Sequence, residues 1–485
     1  MKHTRITASL LALLTLASTA MVACDSGVSG PEETTEGRTV DTSDLIEEFP
    51  RLEVEDNLPA LDMNKGEFRI WTGDRGDFIH DIGVDLDGSG DIVDIAIYER
   101  NRKIMERFNC KLVQTPVDAS AIIKAVSTDE DAFDLVLAGS LHACSALAPE
   151  GYFLDWYEDL PYVNLDQPWY IGNAKEALSI GQHAYTMIGE LNLDVLRFTY
   201  CMFFNKQLVE NYDLGNIYDV VNNGEWTHEY LRKLSAEIYT DLNFDGVTSE
   251  GDLLVLAGDT ASAVVAYQYA YNNPLFTSDE EGVPTYTFDI DRATVIIEKL
   301  VDLYWNTNGT YGGSWGAGSD TWNNGTLMFK TGMFMDAQNY RGIDAFDFGI
   351  IPYPKLDENQ DRYYSMVDGA HTVQAVPTTA RDPESVSIIV EALNAETWKT
   401  VIPTYYDISM KDKFTRDPES NAMLDLISES RIFDFGYIYN LTDMAFVIQH
   451  QVARKSTSSA STYERYKRAS LKKWDEIIEM YLDLG

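Results

Sequence analysis

Between residues 67 and 140 short apolar runs alternate with stretches of helical periodicity, and that alternation limits the available folds more than any other feature of the chain. "EFRIWTG" alternates apolar and polar side chains and closes on Thr-Gly, the pattern of a strand. In "DIVDIAIYERNRKIMERFNC", Ile97, Ile104, Met105 and Phe108 fall on one helical face. "KLVQTPV" predicts a second strand and "ASAIIKAVST" a second helix. "AFDLVLAGS" is almost continuously apolar, as a strand covered on both faces must be. Strand, helix, strand, helix, strand predicts a parallel sheet in an α/β domain.

The rest of the chain continues in mixed fashion. "QHAYTMIGELNLDVLRFTYCMFFNKQLVENYDL" predicts two extended segments and the start of a helix. "EWTHEYLRKLSAEIYTD" and "TFDIDRATVIIEKLVDLYWN" predict amphipathic helices, the second capped by Asp289 or Asp291. "GTLMFKTGMFMDAQNYRGI" predicts a helix, a turn and a strand; "FDFGIIPYPKLD" predicts a strand stopped by Pro-x-Pro. "YYSMVDGAHTVQAVPTTARDPESVSIIVEALN" predicts one or two strands, a turn and a helix, and "STYERYKRASLKKWDEIIEMYLDL" a terminal amphipathic helix.

Lys2 and Arg5 precede an uncharged run from Ala8 to Ala23. A basic start, a short apolar core and small residues at its end predict a secretory signal over 1–23. The run ends in "MVAC", which resembles a bacterial lipobox with Met21 where Leu is usual. That resemblance makes Cys24 the expected lipid attachment point, with acyl chains holding the protein on a bilayer. Residues 24–65 are rich in Gly, Ser, Thr, Asp and Glu, and predict a disordered acidic tether. The folded body is expected to begin near Gly66.

Roughly 420 residues then remain, more than one ordinary domain holds and suited to two. A net charge of −41, with a single basic cluster in "YKRASLKK", argues against nucleic acid or anionic lipid surfaces as partners. Besides Cys24 there are Cys110, Cys144 and Cys201, too few for a disulfide framework, with room for one bridge at most. The seven histidines form no H-E-x-x-H, there is no G-x-x-x-x-G-K-[ST] phosphate loop, and no G-x-S-x-G nucleophile elbow is expected. Carboxylates are abundant enough that a glycosidase pair stays open by residue type alone.

The order of these pieces resembles the extracellular solute-binding lipoproteins of ABC importers, in the carbohydrate-type class that includes maltose-binding protein. "DIAIYERNRKIMERFNCKL", "FDLVLAGS", "CMFFNKQLVENYDL", "MFKTGMFMDAQNYRG", "FGIIPYPK", "AVPTTARDPESVSIIVEAL" and the terminal helix carry it. The resemblance implies a two-lobed α/β fold of the type II periplasmic-binding-protein kind, with lobes joined by crossover hinge strands. Lobe one would comprise 66–186 plus 348–400, and lobe two 200–347 plus 403–485. It also implies a non-enzymatic monomer, anchored outside the cell, that binds a sugar or other small polar solute in the cleft and passes it to permease subunits. A sensing or adhesion role, or a surface glycosidase, are the alternatives.

Ligand contacts are expected at strand ends and the helix starts that follow them. They are Trp71, Ser140, Trp315 in a glycine-rich stretch, Asp336, Asn339 and Arg341 after "GMFMD", Asp368, and Tyr405 in "PTYYD". Sugar rings stack their C–H faces on aromatic planes, and Asp, Asn and Arg hydrogen-bond the hydroxyls. A composition with 28 Tyr and 9 Trp can supply such planes. "DLNFDGVTSEGD" resembles an EF-hand loop of the dockerin type. Asp241, Asn243, Asp245, the Val247 carbonyl, Ser249 and Asp252 stand at positions 1, 3, 5, 7, 9 and 12 around Gly246. Structural calcium is the expectation there. "DLDGSGD" at Asp85 has Ala96 at its twelfth position and is read as a loop before a helix.

Overall fold

The computed structural model describes residues 50–73, 80–414 and 418–484. The signal segment and Cys24 therefore lie outside the described residues.

In chain order the strands that matter are β1 (Glu67–Trp71), β2 (Lys111–Thr115), β3 (Leu135–Gly139), β4 (Tyr200–Asn205), β5 (Leu254–Asp259), β6 (Thr310–Gly313), β7 (Leu327–Met333), β8 (Phe348–Ile351) and β9 (Thr372–Ala375). The helices are α1 (Ile92–Phe108), α2 (Ser120–Ser127), α3 (His228–Glu237), α4 (Ile290–Val301), α5 (Pro383–Glu396) and α6 (Ala460–Leu484).

The first sheet runs β9-β3-β1-β2. β1 pairs parallel with β2 and with β3, and β9 returns antiparallel to β3. α1 starts where Asp91 accepts hydrogen bonds from the Val93 and Asp94 amides, completing a capping box with Asp94. It ends at Asn109, whose φ of 47° stops the helix in left-handed geometry. The second sheet runs β8-β4-β7-β5-β6. β5, β6 and β7 are parallel, while β4 is antiparallel to both β7 and β8. α3 and α4 are capped by Thr227 and Asp289, of the kinds their sequences predict.

Three expectations are corrected. The expected lobe one includes residues 348–351, yet β8 hydrogen-bonds β4 in the second sheet, Phe348 opposite Asn205. "GTLMFKTGMFMDAQNYRGI" forms a strand first and a short helix, Asp336–Tyr340, after it. Leu327–Phe329 are fully buried, which suits a central strand and not a helix face. Residues 50–65, expected in the tether, pack on the first core through half-buried Val54, Leu58, Leu61 and Met63. Arg107 Nη2 donates to Asp56 Oδ1 (3.0 Å), and the Met63 amide donates to the Phe108 carbonyl (2.9 Å).

The chain passes between the sheets three times. Residues 187–199 run antiparallel to 367–374, with bridges at Met187–Gln374 beside the first sheet and Thr199–Val367 beside the second. Residues 397–405 make the third passage, following α5. The last helix packs through Tyr463 on Phe288 and Trp474 on Phe276, and its end reaches the first half, where the Tyr481 ring stands edge-on to Tyr185 with centroids 4.7 Å apart. Cys110, Cys144 and Cys201 are buried free thiols. Burial pushes Cys110 up to about 11 and Cys144 to about 12, which leaves them unreactive.

Candidate functional site

The parallel strands β5, β6 and β7 end side by side at Asp259, Gly313 and Met333. Ligands of open α/β sheets collect at such carboxyl edges. A cavity of about 140 Å³ opens there, beside the first passage between the sheets. Asp259, Trp315, Lys330, Asp336 and Tyr200 are among the residues that line it.

Each of these side chains is fixed by local chemistry. Asp259 ends β5 and turns the chain, its Oδ1 accepting from the Ala261 (2.6 Å) and Ser262 (3.1 Å) amides. Asp336 opens the short helix after β7, and its Oδ2 accepts from the Met333 amide (2.8 Å). Gly332 permits that approach, since a Cβ there would stand 2.7 Å from Asp336 Oδ2 and 2.9 Å from the Phe203 ring. Burial pushes the Asp336 carboxyl up, against the pull of the Met333 amide and Lys330. Lys330 is itself buried, and Nζ donates to the Ala317 carbonyl (2.9 Å) and Ser319 Oγ (3.4 Å).

That lysine anchors the glycine-rich loop carrying Trp315. Glu250 takes the other side, accepting from the Gly318 amide, while Thr321 Oγ1 donates to its carbonyl (3.0 Å). Gly318 needs to be glycine: its φ is +77° and a Cβ would lie 2.4 Å from that of Ala257. So held, Trp315 stands 78% exposed at the cavity rim. An indole left in water on a pinned loop is available to a ligand.

Tyr200 links the cavity to the hinge. Its hydroxyl donates to Asp368 Oδ2 (2.8 Å) in the second passage, and the Asp368 amide donates to the Phe198 carbonyl (2.9 Å) in the first. Beside it His371 Nδ1 donates to the Asp368 carbonyl (2.7 Å). His371 Nε2 is buried without a hydrogen-bond partner among the described residues, and burial holds the ring neutral by pushing it down to about 4.

The sequence-derived residues thus divide. Trp315 and Asp336 line the cavity, and Asp368 acts on it through Tyr200. Trp71 is buried in the core at the end of β1. Ser140 is buried, with Oγ donating to the Gly369 carbonyl (3.0 Å). Asn339 and Arg341 are exposed on the short helix and just after it, outside the cavity lining. Tyr405 is buried under the Arg197 guanidinium, 5.5 Å from its ring centroid. Asp259, Lys330 and Tyr200 escaped the sequence. Asp259 is the one with a local signal, an Asp closing an apolar run before "TASA".

One motif expectation is corrected. Gly312-Gly313-Ser314-Trp315-Gly316 does spell G-x-S-x-G. Ser314 is exposed, and no histidine among the described residues lines the cavity. The string therefore lacks the base a nucleophilic serine requires.

The calcium-type loop adopts the turns its spacing calls for. Asp241 accepts from the Phe244 (2.6 Å) and Gly246 (2.9 Å) amides, and Asn243 from Asp245 (2.9 Å). Asp245 accepts from Val247 (2.7 Å), and Asp252 from Ser249 (2.8 Å). Gly246 has φ +76°. In this conformation no group of three or more His, Cys, Asp or Glu among the described residues is drawn together as a metal site.

No protein-family model matches the sequence, and no curated protein matches it. Solved structures do. The GacH receptor of Streptomyces glaucescens GLA.O, determined unliganded and with acarbose, aligns at 15% identity and a TM-score of 0.47, covering 86% of this chain and 99% of that one. An ABC transporter solute-binding protein from Thermotoga lettingae TMO, bound with α-D-tagatose, aligns at 13% identity and a TM-score of 0.51, covering 85% of this chain and all of that one. The chain has the two-lobed α/β fold of the type II periplasmic-binding-protein kind.

Proposed function

We propose that this protein is the substrate-binding subunit of an ABC importer, capturing a sugar or oligosaccharide and delivering it to permease subunits without altering it. The carrying observation is the cavity at the carboxyl edge of β5, β6 and β7, lined by a pinned, exposed Trp315 and by the Asp336 and Asp259 carboxylates beside the hinge. An indole plane and fixed acceptors suit the C–H faces and hydroxyls of a sugar. Closure about the passages would trap it. No helix among the described residues is long and apolar enough to cross a membrane. Placement outside the cell, tied to the membrane by lipid on Cys24 after removal of 1–23, goes with this reading. Calcium in the Asp241–Asp252 loop would be structural, stiffening the segment that carries Glu250.

The test is a thermal-shift screen against mono- and oligosaccharides, since a ligand that binds only the native state raises the melting temperature by mass action. A saturable rise for at least one sugar supports the proposal. Turnover of an aryl glycoside by the purified protein contradicts it.

A further inference from the structure

The charge around the cavity is unbalanced, and this bears on which sugar fits. Asp259 and Asp336 line it, and Lys330 is the one basic side chain among its lining residues. That ammonium is spent on the wall, donating to the Ala317 carbonyl and Ser319 Oγ. The carboxylates of Asp336, Glu250 and Asp259 all act on it. Asp336 has one oxygen on the Met333 amide, and its Oδ1 has no hydrogen-bond partner among the described residues. A half-buried carboxylate with a free oxygen, in a pocket whose one lysine is hydrogen-bonded to the wall and shared among three carboxylates, is under-compensated. It gains most from a cation brought by the ligand. The exposed Trp315 face at the rim favours a cation as well. An anionic solute would meet repulsion from both acids.

Resting on the sugar-capture reading above, we propose that the site selects an amino-bearing sugar, with the ligand's ammonium paired to Asp336 Oδ1 and its ring against Trp315. Asp336 is then the specificity-determining residue.

Equilibrium titration at low salt with three matched probes tests this: D-glucosamine, D-glucose and D-glucuronate, repeated with the galacto series. The amino sugar is expected to bind at least tenfold tighter than its neutral partner, and the uronate weakest. Raising the salt should weaken the amine selectively. In Asp336→Asn, which keeps an acceptor for the Met333 amide, the amine-to-neutral ratio should fall below threefold. Asp259→Asn reads the same ratio should that variant bind too weakly to measure or fail to fold. Neutral sugars binding as tightly as amines, or an amine preference that survives both substitutions, overturns the proposal while leaving sugar capture standing. No binding by any probe or by any member of the wider sugar panel overturns both.

Discussion

Arg197 donates Nη1 to Asp81 Oδ1 at 2.7 Å, and around this buried pair all three passages between the lobes converge. The Asp194 amide donates to Asp81 Oδ2 (3.2 Å), and Asp194 Oδ2 accepts from the Thr372 amide (3.0 Å) and hydroxyl (2.5 Å). Arg100 spans from the Asp81 carbonyl to Thr397 Oγ1. Removing one member of a buried pair leaves the other charge uncompensated, at about 3–5 kcal/mol. Arg197→Met should therefore destabilise the protein by about 3 kcal/mol in chemical denaturation. A cost under about 1 kcal/mol would show that the pair contributes little to the fold.

Glu391 on α5 is buried, and its Oε2 accepts from the Tyr170 hydroxyl (2.7 Å). Burial pushes its carboxyl up to about 7. Between its ordinary value and 7 the folded protein keeps a proton that the unfolded chain has lost, so this group's contribution to stability falls as pH rises through that window. Glu391→Gln, neutral at every pH, should match the wild type at pH 4 and melt several degrees higher at pH 8. Equal melting points at pH 8 would place the titration elsewhere.

Trp315 touches little of the core, so Trp315→Ala should leave the melting point of the empty protein within a degree or so and weaken sugar binding about tenfold or more. Loss of several degrees would make it a structural residue.

Gly332→Ala brings a Cβ to 2.7 Å from Asp336 Oδ2. Displacing that carboxylate from its hydrogen bond to the ligand should cost about 1.5–3 kcal/mol of binding, read by calorimetry against the same sugar. Unchanged affinity would remove Asp336 from the site.

Calcium should raise the melting point in chelated protein, and Asp245→Ala should abolish the rise. Equal melting curves with calcium and with chelator would make the loop a plain acidic turn.

The first half of the fold was legible because β1, α1, β2, α2 and β3 are local patterns of period two or 3.6, with α1 capped by Asp91. The partner of β8 was not, because pairing across the 142 residues between Asn205 and Phe348 leaves no local trace. Residues 50–65 hide their packing because Val54, Leu58, Leu61 and Met63 stand singly among acids and turn residues. Asp336 was readable as strand-end chemistry, and Trp315 from the glycine-rich stretch around it. Trp71 obeys the same rule yet is core, since a strand end is exposed or covered according to what other segments lay over it. Lys330 sits inside an apolar strand, where sequence alone cannot show that its ammonium reaches the Trp315 loop.

The most direct test of sugar capture at this cavity is the melting temperature of the wild type and of Asp336→Ala across a logarithmic series of the best-binding sugar. The wild type should show a rise that grows with the logarithm of concentration, and the variant a nearly flat line. Parallel rises in both proteins, or none in the wild type with any sugar, would contradict it.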